Sequence, residues 1–213
     1  MEKIINRPKI KAIFFDLGEV VLTNDWTFDC PEKDQEFYEE YGIKEFSYVK
    51  NPYFDDFVRG KISQKKYWTE TLAYFKAKHN NPQRAIAIQK KYQKAKPGML
   101  KLLANLKDNG YRLAVISTIT NELLEYKSKK FGLEKYFEEI ITSGHTGYKK
   151  PDKEIYQIAM YKMKVSPQES LFVDDGQKYV NGAITCGMYA ILFNGDEGTD
   201  QLKIRLKEYG VKL

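Results

Sequence analysis

Four short stations in this 213-residue sequence carry side chains suited to chemistry. Asp16 follows the apolar run Ile10 to Phe15 directly and stands two residues before Gly18. A carboxylate at the carboxyl end of a buried strand lies in the crevice where open α/β sheets bind ligands, so it can be nucleophile or metal ligand, or simply a turn former. Asp174 and Asp175 repeat the arrangement after Leu171-Phe172-Val173. Two adjacent acids there repel each other unless a cation or hydrogen bonds offset the charge, and hard oxygen ligands favour magnesium. The plainer alternative is an Asp-rich turn capping the next helix. Ser117-Thr118 ends the run Leu113 to Ile116, where hydroxyls either donate to a phosphoryl oxygen or cap the helix that begins near Asn121. Lys150 stands before Pro151, with Gly144, Gly147 and Tyr148 upstream. Its ammonium can neutralise a nucleophile and an incoming phosphate, or it can sit exposed at the start of a helix beside Lys149.

The elements that must hold these residues are visible in the pattern. Five short apolar, β-branched runs, Ile10 to Phe15, Leu113 to Ile116, Ile140 to Thr142, Leu171 to Val173 and Tyr189 to Phe193, are too short for helices. They are also too continuous for half-exposed strands, which predicts buried strands of a parallel sheet. Helical patterns lie between them over Leu100 to Lys107, Asn121 to Lys130, Asp152 to Met163 and Tyr179 to Thr185, with Asp200 to Tyr209 after the last strand. Alternation of strand and helix is the βαβ signature. Asn109-Gly110 and Gly132 close helices, and Ser166-Pro167-Gln168-Glu169 reads as a capping box with proline at the first helical position.

The stretch from the first strand to Pro97-Gly98 has no strand run and is too long for a simple loop. Residues 24 to 96 hold 15 of the 30 aromatic residues, including Trp26 and Trp68. That density predicts a small packed helical unit, because aromatic side chains supply burial that a short segment otherwise lacks. Gly60-Lys61-Ile62-Ser63 reads as a turn leading to an N-cap, with a helix around Tyr67, Trp68 and Leu72.

Composition narrows the function classes. Hydrophobic residues at 42% and charged residues at 30% exclude a disordered chain. The 35 basic against 29 acidic residues give a net charge of +6. The lysine runs Lys90 to Lys96 and Lys127 to Lys130 read as solvated helix faces, and no recognised RNA or DNA module accompanies them, so nucleic acid is not the expected partner. A mild positive field suits capture of a small anion. The opening MEKIINRPKIK lacks the apolar run of a secretory signal, and no segment offers about 18 consecutive apolar residues, which predicts a cytoplasmic protein without a membrane partner. Cys30 and Cys186 suit neither a disulfide framework nor a zinc site and read as free thiols. His79 is expected at the surface; His145, in the loop before Lys150, is left open between surface and acid–base roles.

Taken together and in order, FFDLGEVVL, LAVIST, GYKKPDKEIY and LFVDDG, with NGAITCGM after the last, closely resemble the haloacid dehalogenase (HAD) superfamily. The FDLGxV form is similar to a branch that includes bacterial α-glucose-1-phosphatase. The resemblance implies an α/β fold: a Rossmann-like, doubly wound parallel core (1–23 and 97–213) with a small α-helical cap (24–96) inserted after the first strand. It implies a phosphatase in which Asp16 attacks a small phosphorylated metabolite, a sugar phosphate or similar, and water later hydrolyses the aspartyl-phosphate. Ser117 and Thr118 would bind the phosphoryl group and Lys150 would balance charge. Asp174, Asp175, Asp16 and the main-chain carbonyl of Gly18 would hold Mg2+. Monomer and dimer are equally compatible with the sequence.

Three positions depart from the family pattern. Gly18 replaces the second Asp that serves as general acid and base, a loss worth about 10²–10⁴ in rate. That implies weakened turnover or a substrate with a better leaving group; Glu19 is adjacent but is expected to point elsewhere. Tyr179 stands where an asparagine is usual, and Thr118 where the second motif often has asparagine. Two alternatives follow: a metal-independent 2-haloacid dehalogenase, or a binding protein with weakened catalysis.

Overall fold

The structure, a computed structural model, describes residues 9–23, 31–43, 46–48 and 50–213. Trp26, Cys30 and residues 1–8 of the opening stretch lie outside the described residues. Five parallel strands, β1 (Ala12–Phe15), β2 (Arg112–Ser117), β3 (Glu139–Thr142), β4 (Ser170–Asp174) and β5 (Tyr189–Leu192), form one sheet in the order β3-β2-β1-β4-β5. β1 is central and fully buried. Its register sets Phe15 beside Val115 on β2 and Val173 on β4. One residue further, the Asp16 N–H donates to the Val173 carbonyl at 2.9 Å, so Asp16 and Asp174 emerge from neighbouring strand tips.

Alternation along the strands builds two cores. Ile13, Phe15, Leu113, Val115, Leu171 and Val173 face helices α5 (Met99–Asp108), α6 (Asn121–Phe131) and α10 (Thr199–Glu208). Ala12, Phe14, Ala114, Ile116 and Phe172 face α8 (Lys153–Met163) and α9 (Gln177–Thr185). Helices on both faces of a parallel sheet make the fold doubly wound, as the apolar runs require. The expectation of five fully buried strands needs correction at the edges. Glu139 and Ile140 on β3 and Tyr189 and Ala190 on β5 are half-buried, and Leu192 is exposed, because an edge strand is covered from one side only. The capping box at Ser166 forms, but it closes a single 3₁₀ turn, Pro167–Glu169, that feeds β4 at once.

Between β1 and α5 lie α1 (Pro31–Tyr41), α2 (Phe54–Val58), α3 (Gln64–Tyr74) and α4 (Pro82–Lys91). Ser63 is the N-cap of α3, its side chain accepting from the Lys66 N–H at 3.2 Å. These helices gather an apolar cluster of their own around Phe37, Tyr41, Phe57, Tyr67, Trp68 and Leu72. Phe57 stacks on Tyr67 at 4.1 Å between ring centroids, and Phe37 lies 5.5 Å from Trp68. Truncating such a ring to alanine costs about 3–5 kcal/mol, so the aromatic density is what lets so short a segment pack. The inserted helices approach the sheet domain tightly at Gly60, where an added Cβ would lie 2.6 Å from the carbonyl oxygen of Gly144 in the one-turn helix α7 (Ser143–Thr146). No helix among the described residues is long and apolar enough to cross a membrane.

Candidate active site

Asp16, Lys150 and Asp174 converge at the carboxyl edge of the sheet. Lys150 Nζ lies 2.8 Å from Asp16 Oδ1 and 2.5 Å from Asp174 Oδ2. The other Asp174 oxygen accepts the Gly176 N–H at 2.8 Å. Asp16, Asp174 and Asp175 each offer a carboxylate oxygen within 4.8 Å of the others. The lysine and two of the acids are largely shut off from water, Lys150 being 2% exposed, Asp16 7% and Asp174 0%, while Asp175 is half-buried. Asp16 Oδ1 is buried and, beyond its ion contact with Lys150, has no hydrogen-bond partner among the described residues.

Three carboxylates against one ammonium leave a formal charge of −2 in a low-dielectric setting. Burial, reinforced by the Asp16 charge and opposed by Lys150, pushes Asp174 up to about 7. Burial and Asp16 likewise push Asp175 up to about 6. Burial would lower the pKa of Lys150, but the carboxylates of Asp16 and Asp174 more than reverse this and hold it above its ordinary value. The lysine is therefore charged, and with all three carboxylates ionised the cluster lacks two positive charges. Hard oxygen donors, a buried Asp16 oxygen that meets only the Lys150 ammonium, and that deficit together fit a divalent cation such as magnesium.

Several flanking residues set this geometry. The Lys150 N–H donates to Thr118 Oγ1 at 3.3 Å, which ties the lysine loop to the tip of β2. The helix-cap alternative for Ser117-Thr118 is overturned: Thr120 is the N-cap of α6 and accepts from the Leu123 N–H at 3.4 Å. Ser117 and Thr118 instead line the cleft. Tyr179, in the position where asparagine was expected, places its ring centroid 4.9 Å from Lys150 Nζ, a cation–π contact. Burial pushes the Tyr179 phenol up to about 12. Gly18 also lines the cleft, whereas Glu19 turns away to Lys96, 2.5 Å from it.

The cleft has a volume of about 470 Å³. Its floor includes Asp16, Ser117, Thr118, Lys150 and Asp175; the inserted helices contribute Tyr48, Asn51, Pro52, Phe54 and Asp55. The two sides are joined by crossed ion pairs, Asp55 to Lys149 at 2.5 Å and Arg59 to Asp152 at 2.8 Å. Lys149 thereby holds Asp55 below the usual carboxylate range. His145 is exposed, with Nδ1 3.1 Å from Thr142 Oγ1, and it does not line the cleft. His79 is exposed beside Glu40.

The reading of both lysine runs as solvated faces fails at two positions. Lys127 is 1% exposed and lines the cleft. It falls four residues after buried Leu123, so the helical period of α6 does carry a signal for its inward position. Lys96 is 7% exposed and paired with Glu19 and Asp196. Its partners lie 77 and 100 residues away, beyond the reach of local pattern.

The sequence profile of haloacid dehalogenase-like hydrolases matches residues 13–193. The chain belongs to that family. Within it, the chain is 26% identical to a glyceraldehyde 3-phosphate phosphatase of Pyrococcus furiosus, over 94% of this chain and 87% of the relative. It is 38% identical over 104 residues to a glyceraldehyde 3-phosphate phosphatase of Methanothermobacter thermautotrophicus, covering 47% of this chain. The chain spans 45% of the length of that relative. Its fold is similar to a HAD family enzyme from Bacteroides thetaiotaomicron in a magnesium complex, with a TM-score of 0.77 at 20% identity, covering 92% of this chain and 98% of the other. An L-2-haloacid dehalogenase from Xanthobacter autotrophicus shares the fold at a TM-score of 0.61 and 18% identity, covering 85% and 76%.

Proposed function

We propose that this HAD-like hydrolase is a magnesium-dependent phosphatase of a small phosphorylated metabolite, acting through an aspartyl-phosphate on Asp16. The observation that carries the reading is the buried Asp16 Oδ1, facing Lys150 at 2.8 Å with two further carboxylates close by. The phosphatase relatives support the substrate class.

In this reading residues 1–23 and 97–213 are the catalytic core and 24–96 the cap that closes over substrate. Asp16, Asp174, Asp175 and the Gly18 carbonyl would hold magnesium, which when bound offsets the repulsion between carboxylate and phosphate. Lys150, 2.8 Å from Asp16, adds a second positive charge toward the transferring group. The Ser117 hydroxyl donates to a phosphoryl oxygen, and Thr118 fixes the lysine loop through the Lys150 N–H. As the Asp16 oxygen bonds to phosphorus, the bond from phosphorus to the leaving oxygen breaks with its electron pair on that oxygen. Water then cleaves the phosphorus–Asp16 bond, releasing phosphate and the free carboxylate.

The test is a panel of phosphate esters assayed with magnesium and with chelator, beside an Asp16→Asn control. Magnesium-dependent turnover that the control lacks is the expected result. Turnover of a 2-haloacid in chelator would favour the metal-independent dehalogenase instead. Binding of magnesium and phosphate with no turnover would favour an interaction protein.

A further inference from the structure

Resting on the phosphatase reading, we infer that the cleft is built for an aryl phosphate monoester, whose leaving group is flat and departs as a stable anion, rather than for a sugar phosphate. Two sets of contacts converge on this class.

The first concerns the face that the inserted helices turn toward the cleft. Tyr48 and Phe54 present rings 5.0 Å apart between centroids, beside Pro52. Two polar side chains on that face, Asn51 and Asp55, are already engaged. Asn51 donates to the Tyr67 hydroxyl at 3.1 Å and to Thr71 Oγ1 at 2.8 Å, while its carbonyl oxygen accepts the Tyr53 N–H at 3.0 Å. Asp55 is held by Lys149 and Arg59. A sugar brings several hydroxyls, and each one buried without a partner costs about 1–3 kcal/mol. A flat ring needs only apolar area and stacking, which Tyr48, Pro52 and Phe54 supply.

The second concerns the leaving oxygen. Position 18 is glycine, and the next acid, Glu19, is buried against Lys96 at 2.5 Å. Asp55, the acid on the upper face, is kept ionised by Lys149. Asp175 belongs to the carboxylate cluster with Asp16 and Asp174. An alkoxide needs a proton as it leaves, whereas a phenolate, with a conjugate acid near 10, roughly that of tyrosine, can depart unprotonated. The phosphorus–oxygen bond breaks with its pair on the aryl oxygen, and solvent protonates the phenolate after release.

The experiment compares three probes on the full chain with magnesium: phenyl phosphate, glycerol phosphate, and acetyl phosphate, which has a good leaving group and no ring. Phenyl phosphate is expected to exceed glycerol phosphate in kcat/KM by at least about 100-fold, the lower bound for a missing general acid. In Phe54→Ala the ratio of phenyl to acetyl phosphate kcat/KM should fall about tenfold, as loss of one ring contact implies. Phe54→Leu, which keeps apolar volume, should lower that ratio by less. Equal handling of glycerol and phenyl phosphate, or a ratio that Phe54→Ala leaves unmoved, would overturn the inference while leaving the phosphatase reading intact. Hydrolysis of none of the three would overturn both.

Discussion

Two buried lysines in this molecule have nearly the same first neighbours and opposite consequences. Lys150 sits between Asp16 and Asp174 at 2.8 and 2.5 Å; Lys96 sits between Glu19 and Asp196 at 2.5 and 2.8 Å. The difference lies in what surrounds each trio. Around Lys150 both carboxylates are sealed, with side chains 10% and 0% exposed, and Asp175 adds a third negative charge. Around Lys96 one carboxylate, Asp196, is 75% exposed and water screens it. Burial would lower the pKa of Lys96, but its partners raise it, so it stays charged and satisfied. Its backbone N–H donates to the Val21 carbonyl at 2.9 Å, and Leu22 pairs with Ala95. Lys96 thus staples the chain leaving β1 to the chain returning from the inserted helices. A buried lysine whose surplus carboxylate is exposed and screened by water is a staple; one among sealed carboxylates with a further acid beside them, facing a cleft, is suited to bind a cation.

The comparison is broken most forcefully by neutralising each lysine. Lys150→Met leaves three carboxylates without their ammonium, and urea unfolding in chelator should show a loss of about 3–5 kcal/mol, with turnover down at least about 10²–10³-fold. If the loss were no larger than that of an exposed lysine, the cluster would not be charge-strained.

Magnesium should act on one trio only. At an ion concentration about 100 times its Kd, stabilisation should reach about 2.7 kcal/mol, or roughly 5–10 °C in Tm, in a thermal melt. Asp175→Asn should shrink that rise and Lys96→Met should preserve it. A rise lost in Lys96→Met but kept in Asp175→Asn would reverse the assignment. The same melts carry a pH signature. Asp174 and Asp175 have folded pKa values raised above their ordinary 3.8, so in chelator the folded state binds more protons than the unfolded chain. The stability they contribute is complete below about 4 and is lost as pH rises through about 6 to about 7. Magnesium should flatten that decline, because the ion replaces the protons.

The smallest change is expected at the staple. Lys96→Met takes the ammonium away from buried Glu19, which should cost about 1–3 kcal/mol by urea unfolding. Its turnover should stay far closer to that of the natural chain than that of Lys150→Met does.

Much of this is legible in the sequence. Apolar, β-branched runs ending in Asp16, Ser117 and Asp174 reveal strand tips, because parallel strands must be buried and their ends face the crevice. Parallel register then carries Asp16 to Asp174 without further information. The burial of Lys96 was not legible, since only partners brought close by the fold make a buried lysine tolerable. The crossed pairs Asp55–Lys149 and Arg59–Asp152 were hidden for the same reason. Tyr179 could be seen as a departure from pattern, yet its role as a wall for Lys150 depends on the path of α9. The edge strands read as fully buried because composition does not distinguish an outer strand from a central one.

The most direct measurement is rapid acid quenching of the enzyme during turnover of a phosphate ester with magnesium, followed by mass spectrometry of the peptide containing Asp16. A phosphoryl group on Asp16, absent in Asp16→Asn and in chelator, is the expected result. Steady turnover with Asp16 unmodified at every quench time, or undiminished turnover in Asp16→Asn, would contradict covalent attack by this carboxylate.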